Sequence, residues 1–466
     1  MRRSTGVALA AAAAVFVVGG GARANGRYPA ASLVVFDPND ANHFVMSATI
    51  GLLESRDGGT SFRWRCESVL GAPGPQDLMT AITATGATVT AKFDGVVTSS
   101  DGCSFFAPPE LAGKSMGDLA LRRSTPHELV AFYIDSRIDG GFDSQLVRSD
   151  DDGHTWAPLG APLPIDLLPQ TIDVAPSDAS RVYVSARFGP TQSYASTLLR
   201  SKDGGVTFDS TEIPETANHH LAYIAAVHPF DPDRIYLRVY DPLGTLIWLS
   251  DDGGLTFRKV FTGTDQIYGF AVSPDGMQIA LGGPGDGTWV GAADGTGFTR
   301  RADIQPNCLA WSADGLFACA DQMVAPFSLG RSRDMGATFE TVLRFDALCG
   351  QTGCGADTDA GLACARDWEL VAPAVGTTCG TDAGTRDAPP SDAPRDHDAS
   401  REASPIADAP PGAADGPEVV VEASGGACAM APFPGKKGTC ALSFGLFGFL
   451  AAGFRWRRRD QFLTVT

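Results

Sequence analysis

An eight-residue pattern, Ser-x-Asp-x-Gly-x-Thr-aromatic, constrains this chain more than any other feature, because it returns at regular spacing. Ser149 to Trp156, Ser201 to Phe208, Ser250 to Phe257 and Ser332 to Phe339 carry it intact. Ser55 to Phe62 has Ser61 in the Thr position, and two weaker copies, Ser99 to Phe106 and Gly291 to Phe298, fill the gaps. The closing aromatics, Phe62, Phe106, Trp156, Phe208, Phe257, Phe298 and Phe339, are 44, 50, 52, 49, 41 and 41 residues apart. A four-stranded propeller blade takes roughly 40–50 residues. Seven copies therefore predict an all-β fold: a seven-bladed β-propeller of four-stranded antiparallel blades over residues 28–345.

Each position of the pattern has a physical job. The carboxylates of Asp57, Asp101, Asp151, Asp203, Asp252 and Asp334 are placed to accept backbone N–H groups of a tight turn. The Gly supplies the positive φ that other residues reach only with strain. The Ser and Thr hydroxyls tie the turn ends, and the aromatic packs between neighbouring sheets. Around the motif, Thr171 to Ala175, Arg181 to Ser185 and Thr197 to Arg200 read as three strands, with Phe208 opening a fourth. Short strands with turn signals between them recur, and no helical period competes.

These residues resemble the Asp-box, or BNR-repeat, β-propellers, which include sialidases, xyloglucan-degrading glycosidases, sortilin-type receptors and photosystem assembly factors. The resemblance implies the fold and leaves the activity open, since catalytic and non-catalytic members share the motif. It also implies that the motif turns lie at the blade periphery and are structural.

Both ends of the chain carry sorting signals. Met1 to Arg3 is basic, Val7 to Val18 is apolar, and Ala22-Arg-Ala24 is a small-x-small cleavage site, so residues 1–24 read as a secretory signal peptide. Residues 346–380 hold four cysteines and read as a cap. Residues 381–424, rich in Asp, Ala and Pro, read as a disordered linker. Residues 425–460 form a sorting or anchor segment with Cys428, an apolar run at 441–454 expected to be helical, and the cluster Arg455-Trp-Arg-Arg-Arg459. This end resembles the MYXO-CTERM tails of myxobacterial surface proteins. That resemblance implies Cys428 as the motif cysteine, a sorting protease as partner, and delivery to the cell surface. A single-pass anchor through 441–454 is the alternative. Either reading places the bulk of the chain outside the cytoplasm, on the cell surface or beyond.

The net charge of −18 disfavours nucleic acid and anionic membranes as partners. Ten cysteines in an exported chain read as disulfides. Cys308 and Cys319 are placed to bridge a hairpin. Cys66 and Cys103 are placed to staple blade one to blade two. Cys349, Cys354, Cys364 and Cys379 would then make two bridges inside the cap. A zinc site there is disfavoured, because the paired C-x-x-C spacing is absent. No metal or cofactor is expected.

Arg148, Arg200 and Arg331 share one repeat position, and Tyr133, Tyr183 and Tyr236 another, so both sets read as packing residues rather than a sialidase clamp and nucleophile. No Arg-Ile-Pro segment stands near the start, and no Gly-x-Ser-x-Gly or phosphate loop occurs. The connections between strands two and three, opposite the motif turns, look longest in blades three and four. Arg137, Asp139, Arg187 and Tyr194 on them are the candidate ligand contacts, with Arg137 and Arg187 each four residues after a strand-two Tyr. The expected function is a surface-tethered recognition or scaffold module for a carbohydrate or protein ligand, without an evident catalytic set. The alternative is a glycoside hydrolase, sialidase-like or glucan-cleaving, using paired carboxylates on the same face.

Overall fold

The computed structural model describes residues 29–377 except 73–75, 77, 126, 139–140, 190–193, 218–219 and 351–352. The signal segment, the Asp/Ala/Pro-rich linker, Cys428 and the apolar run 441–454 lie outside the described residues, as do Asp139 and Cys379. Among the described residues no helix is long and apolar enough to cross a membrane.

Seven antiparallel sheets follow one another along the chain, each built from consecutive strands. Their inner strands are Ala31–Phe36, Met79–Ile82, Met116–Leu121, Leu167–Val174, Ala222–Val227, Gly269–Val272 and Pro306–Ser312. Each inner strand lies beside the next, and the last lies beside the first, so the ring closes. Phe317 of blade seven meets Phe36 and Phe44 of blade one at ring-centroid distances of 5.1 and 5.6 Å. Inner strands are also tied by side chains: the Asp118 carboxylate accepts the Ile172 N–H at 3.0 Å, and the Thr171 hydroxyl accepts the Ile224 N–H at 2.8 Å.

Six sheets have four strands, and blade two has three. After its third strand, Gly95–Ser99, only a two-way bridge from Thr98 to Phe106 forms. The reason is local. Pro108 and Pro109 follow and have no N–H to give a ladder. The Phe105 N–H is instead taken by the Asp359 carboxylate of the C-terminal helix at 3.1 Å.

The repeated turn joins strands three and four of its blade. In the second intact copy from the N-terminus, the Ser201 hydroxyl donates to Asp203 at 2.7 Å and accepts the Gly205 N–H at 2.8 Å. Asp203 also accepts the Thr207 N–H at 2.9 Å and the Thr207 hydroxyl at 2.6 Å. The same bonds recur around Asp151, Asp252 and Asp334, and around Asp57 with Ser61. The turn glycines touch the preceding blade. A Cβ on Gly254 (φ +83°) would lie 2.4 Å from Leu198 Cδ2, and one on Gly59 (φ +90°) 2.5 Å from Val342 Cγ1, across the ring closure.

The cap differs from expectation. Cys66 pairs with Cys364 and Cys103 with Cys354, so neither a Cys66–Cys103 staple nor two bridges confined to the cap form. Cys308 and Cys319 bridge their hairpin, and Cys349 is also disulfide-bonded. The helix Asp359–Val375 starts with its Ala360 N–H on the Cys103 carbonyl of blade two. It crosses blade one, where Trp368 packs edge-on against the buried Trp64 at 5.3 Å. Just past its end, Thr377 donates to the Leu348 carbonyl, which follows blade seven. The cap is therefore a strap over blades seven, one and two. Among the described residues no strand is exchanged between the first and last blades, and the strap lies over that junction.

Candidate functional site

The repeated turns and the strand-one to strand-two turns occupy one face of the ring. The strand-two to strand-three connections occupy the other, here called the open face. The longest described connection of that kind is in blade seven, between Gly315–Ala320 and Leu329–Ser332, not in blade three or four as the sequence suggested.

Register separates residues that the sequence grouped. Val130, Tyr183 and Tyr236 pair with Arg148, Arg200 and Leu249 on their third strands, so Tyr183 and Tyr236 are equivalent. Tyr133 lies three residues further along, at the open face. The phenol of Tyr183 donates to the Pro232 carbonyl at 2.9 Å and that of Tyr236 to the Ala293 carbonyl at 2.6 Å, both in the next blade. These two tyrosines are blade-to-blade struts. Arg137 and Arg187 are not equivalent either, since Arg187 is inside Val182–Phe188 and Arg137 is past Leu129–Ser136. Arg148, Arg200 and Arg331 stand in three different blades, next to the repeated turns, and converge on nothing.

At the open face, blades three and four meet in a cluster of cations and aromatic rings. Arg187 lies over Phe142 of blade three at 5.4 Å and over Tyr194 of its own hairpin at 5.0 Å. Burial lowers the Arg187 guanidinium from its ordinary value, and the Tyr194 phenol acts in the other direction. Arg137 instead forms an ion pair with Asp143 at 3.0 Å. Lys114 bonds Asp135 at 2.7 Å and lies 4.6 Å from the centre of the Tyr133 ring, and the bond to Asp135 raises its ammonium. The exposed Ile165 adjoins this cluster, its carbonyl accepting the Phe142 N–H at 3.1 Å. The structure thus brings Arg187 and Tyr194 together and leaves Arg137 in a separate exposed pair. Sequence reasoning passed over Phe142, Lys114 and Ile165. The run Gly141-Phe-Asp143 contained the signal, an aromatic at a hairpin tip.

Two other places draw attention as chemistry. Burial raises the Asp118 carboxyl to about 7, against which its two backbone N–H bonds work. A carboxyl with that poise suits an acid catalyst, yet Asp118 is buried in an inner strand and spent on the link to Ile172. On the turn face, a concavity of about 820 Å³ opens between blades six and seven, lined by Trp311, Asp314, Arg333 and Met335 among others. Its Arg333 is already held by Asp314 and Glu340.

No protein-family model matches the chain, and no curated protein matches it. Among solved structures, a protein of unknown function from Dyadobacter fermentans is 16% identical, with a TM-score of 0.40 over 57% of this chain and 92% of that one. The GH74 xyloglucanase of Xanthomonas campestris is 15% identical, with a TM-score of 0.25 over 67% and 55%. YCF48 bound to D1 peptide is 18% identical, with a TM-score of 0.35 over 53% and 72%. None of these distant similarities carries an activity over to this chain.

Proposed function

We propose that this chain is a recognition propeller of the Asp-box type, exported and held at the cell surface, that binds a ligand on its open face between blades three and four. The observation that carries the reading is Arg187 of blade four lying over the rings of Phe142 of blade three and of Tyr194. Two blades are needed to make that cluster, and aromatic and arginine side chains are the residues that dominate binding energy at interfaces. The bridges between strap and blades persist where thiols are oxidised, which supports export. The secretory segment and the Cys428 tail would supply delivery and tethering, with a sorting protease as a transient partner.

The test is a combined screen of the purified chain against glycans, peptides and glycosidase substrates. Binding without turnover is expected, abolished by joint replacement of Phe142, Arg187 and Tyr194 by Ala. Turnover of a sugar substrate would replace this reading with the glycoside hydrolase.

A further inference from the structure

We infer that the rim between blades three and four takes an acidic segment of a protein partner, with a carboxylate on Arg187 and an aliphatic side chain beside Ile165. The inference rests on the recognition reading and names its ligand class. Among the described residues no carboxylate forms an ion pair with Arg187, although the chain carries 54 acidic residues against 36 basic ones. Arg137, Arg331 and Arg234, by contrast, hold Asp143, Asp314 and Asp251. Contact with ring faces uses none of the N–H donors along the guanidinium edge. A planar carboxylate fits that edge with two parallel bonds. Half-burial and the rings already hold Arg187 in place, which lowers the ordering cost of binding.

The surroundings favour a protein over a saccharide. Ile165, whose carbonyl accepts the Phe142 N–H, is 58% exposed beside the cluster. Aliphatic side chains of this kind suit apolar side chains of a partner. A sugar would seek flat aromatic faces, and Arg187 already covers a face of both Phe142 and Tyr194.

The test is to pan a random-peptide phage library on the full chain and measure the recovered peptides by fluorescence anisotropy. The expected peptides place Asp or Glu beside Leu, Ile or Phe. Arg187→Gln should weaken them roughly tenfold or more, Ile165→Ser several-fold, and Arg137→Gln hardly at all. Arg187→Lys is the second variant: it keeps a cation under the same rings but loses the planar fork, so affinity falls while the unfolding temperature holds. Peptides without acidic residues, or affinity indifferent to Arg187→Gln, overturn the inference. Binding of an acidic glycan such as polygalacturonate, lost in Arg187→Gln, with no peptide recovered, overturns the peptide assignment and keeps the recognition reading. Turnover of a glycoside would remove both.

Discussion

Removing the strap's disulfides should cost more than either bridge suggests alone. Cys66–Cys364 spans 298 residues of sequence and Cys103–Cys354 spans 251. On the chain-entropy account, closing a loop of about 300 residues limits the unfolded chain by roughly 6 kcal/mol. With one bridge in place, the other closes a loop of only about 50 residues, worth roughly 4 kcal/mol. Cys66→Ser/Cys364→Ser and Cys103→Ser/Cys354→Ser should therefore each destabilise by about 4 kcal/mol, and the quadruple variant by about 10. For roughly 350 ordered residues, these figures lower the unfolding temperature by about 5 and 13 °C. Calorimetry, with tryptophan fluorescence reporting on the Trp64–Trp368 contact, reads both. The second loss should exceed the first. Unfolding within a degree or two of wild type in the quadruple variant would refute the reasoning and leave ring closure to the packing of Phe317 on Phe36.

Further predictions concern pH and the turns. In blade one, burial pulls the His43 imidazole down, but hydrogen bonds to Asp37 and Glu54 outweigh it and raise it above 6.5. Burial raises the Asp118 carboxyl to about 7. Both groups hold protons more tightly folded than unfolded, so their contribution is complete at low pH and is lost as pH rises through their folded values. Glu54 opposes them: burial pushes it up, yet His43, Arg56 and Arg65 bring it below its ordinary 4.5, so its share is lost in acid. The unfolding temperature should fall as pH rises from about 6 to 8, and His43→Gln with Asp118→Asn should flatten that slope. A slope unchanged in the double variant would contradict this. Gly254→Ala combines a left-handed backbone with a clash on Leu198 and should cost about 2–5 kcal/mol in denaturant unfolding. Gly297→Ala, also left-handed (φ +68°) but with nothing within 4 Å, should cost about 1–2 kcal/mol. Equal costs would show that contact with the preceding blade contributes nothing.

The fold was readable because the repeated turn closes its own hydrogen bonds within eight residues, as at Ser201, Asp203, Gly205 and Thr207. Local chemistry of that kind is written locally. The disulfides joining strap to blades were not readable, because their partners are 251 and 298 residues apart and proximity comes from the ring, not the chain. Cys308–Cys319, across a single hairpin, was. The missing outer strand of blade two was signalled by Pro108-Pro109, which spacing alone overlooks. Counting residues between tyrosines put Tyr133 with Tyr183 and Tyr236, whereas register with the third strands separates them. Arg187 and Tyr194 could be proposed from their hairpin. Phe142, which gives Arg187 its second ring, belongs to another blade, and only the packing of sheets joins the two.

The most direct measurement is hydrogen–deuterium exchange of the full chain with and without a recovered ligand at saturating concentration. Slower exchange confined to segments 133–138, 141–145, 163–170, 185–189 and 194–197, on the open face of blades three and four, is the predicted result. Protection instead in the repeated turns, or in the concavity at Trp311 and Arg333, would place the ligand on the opposite face and contradict the account.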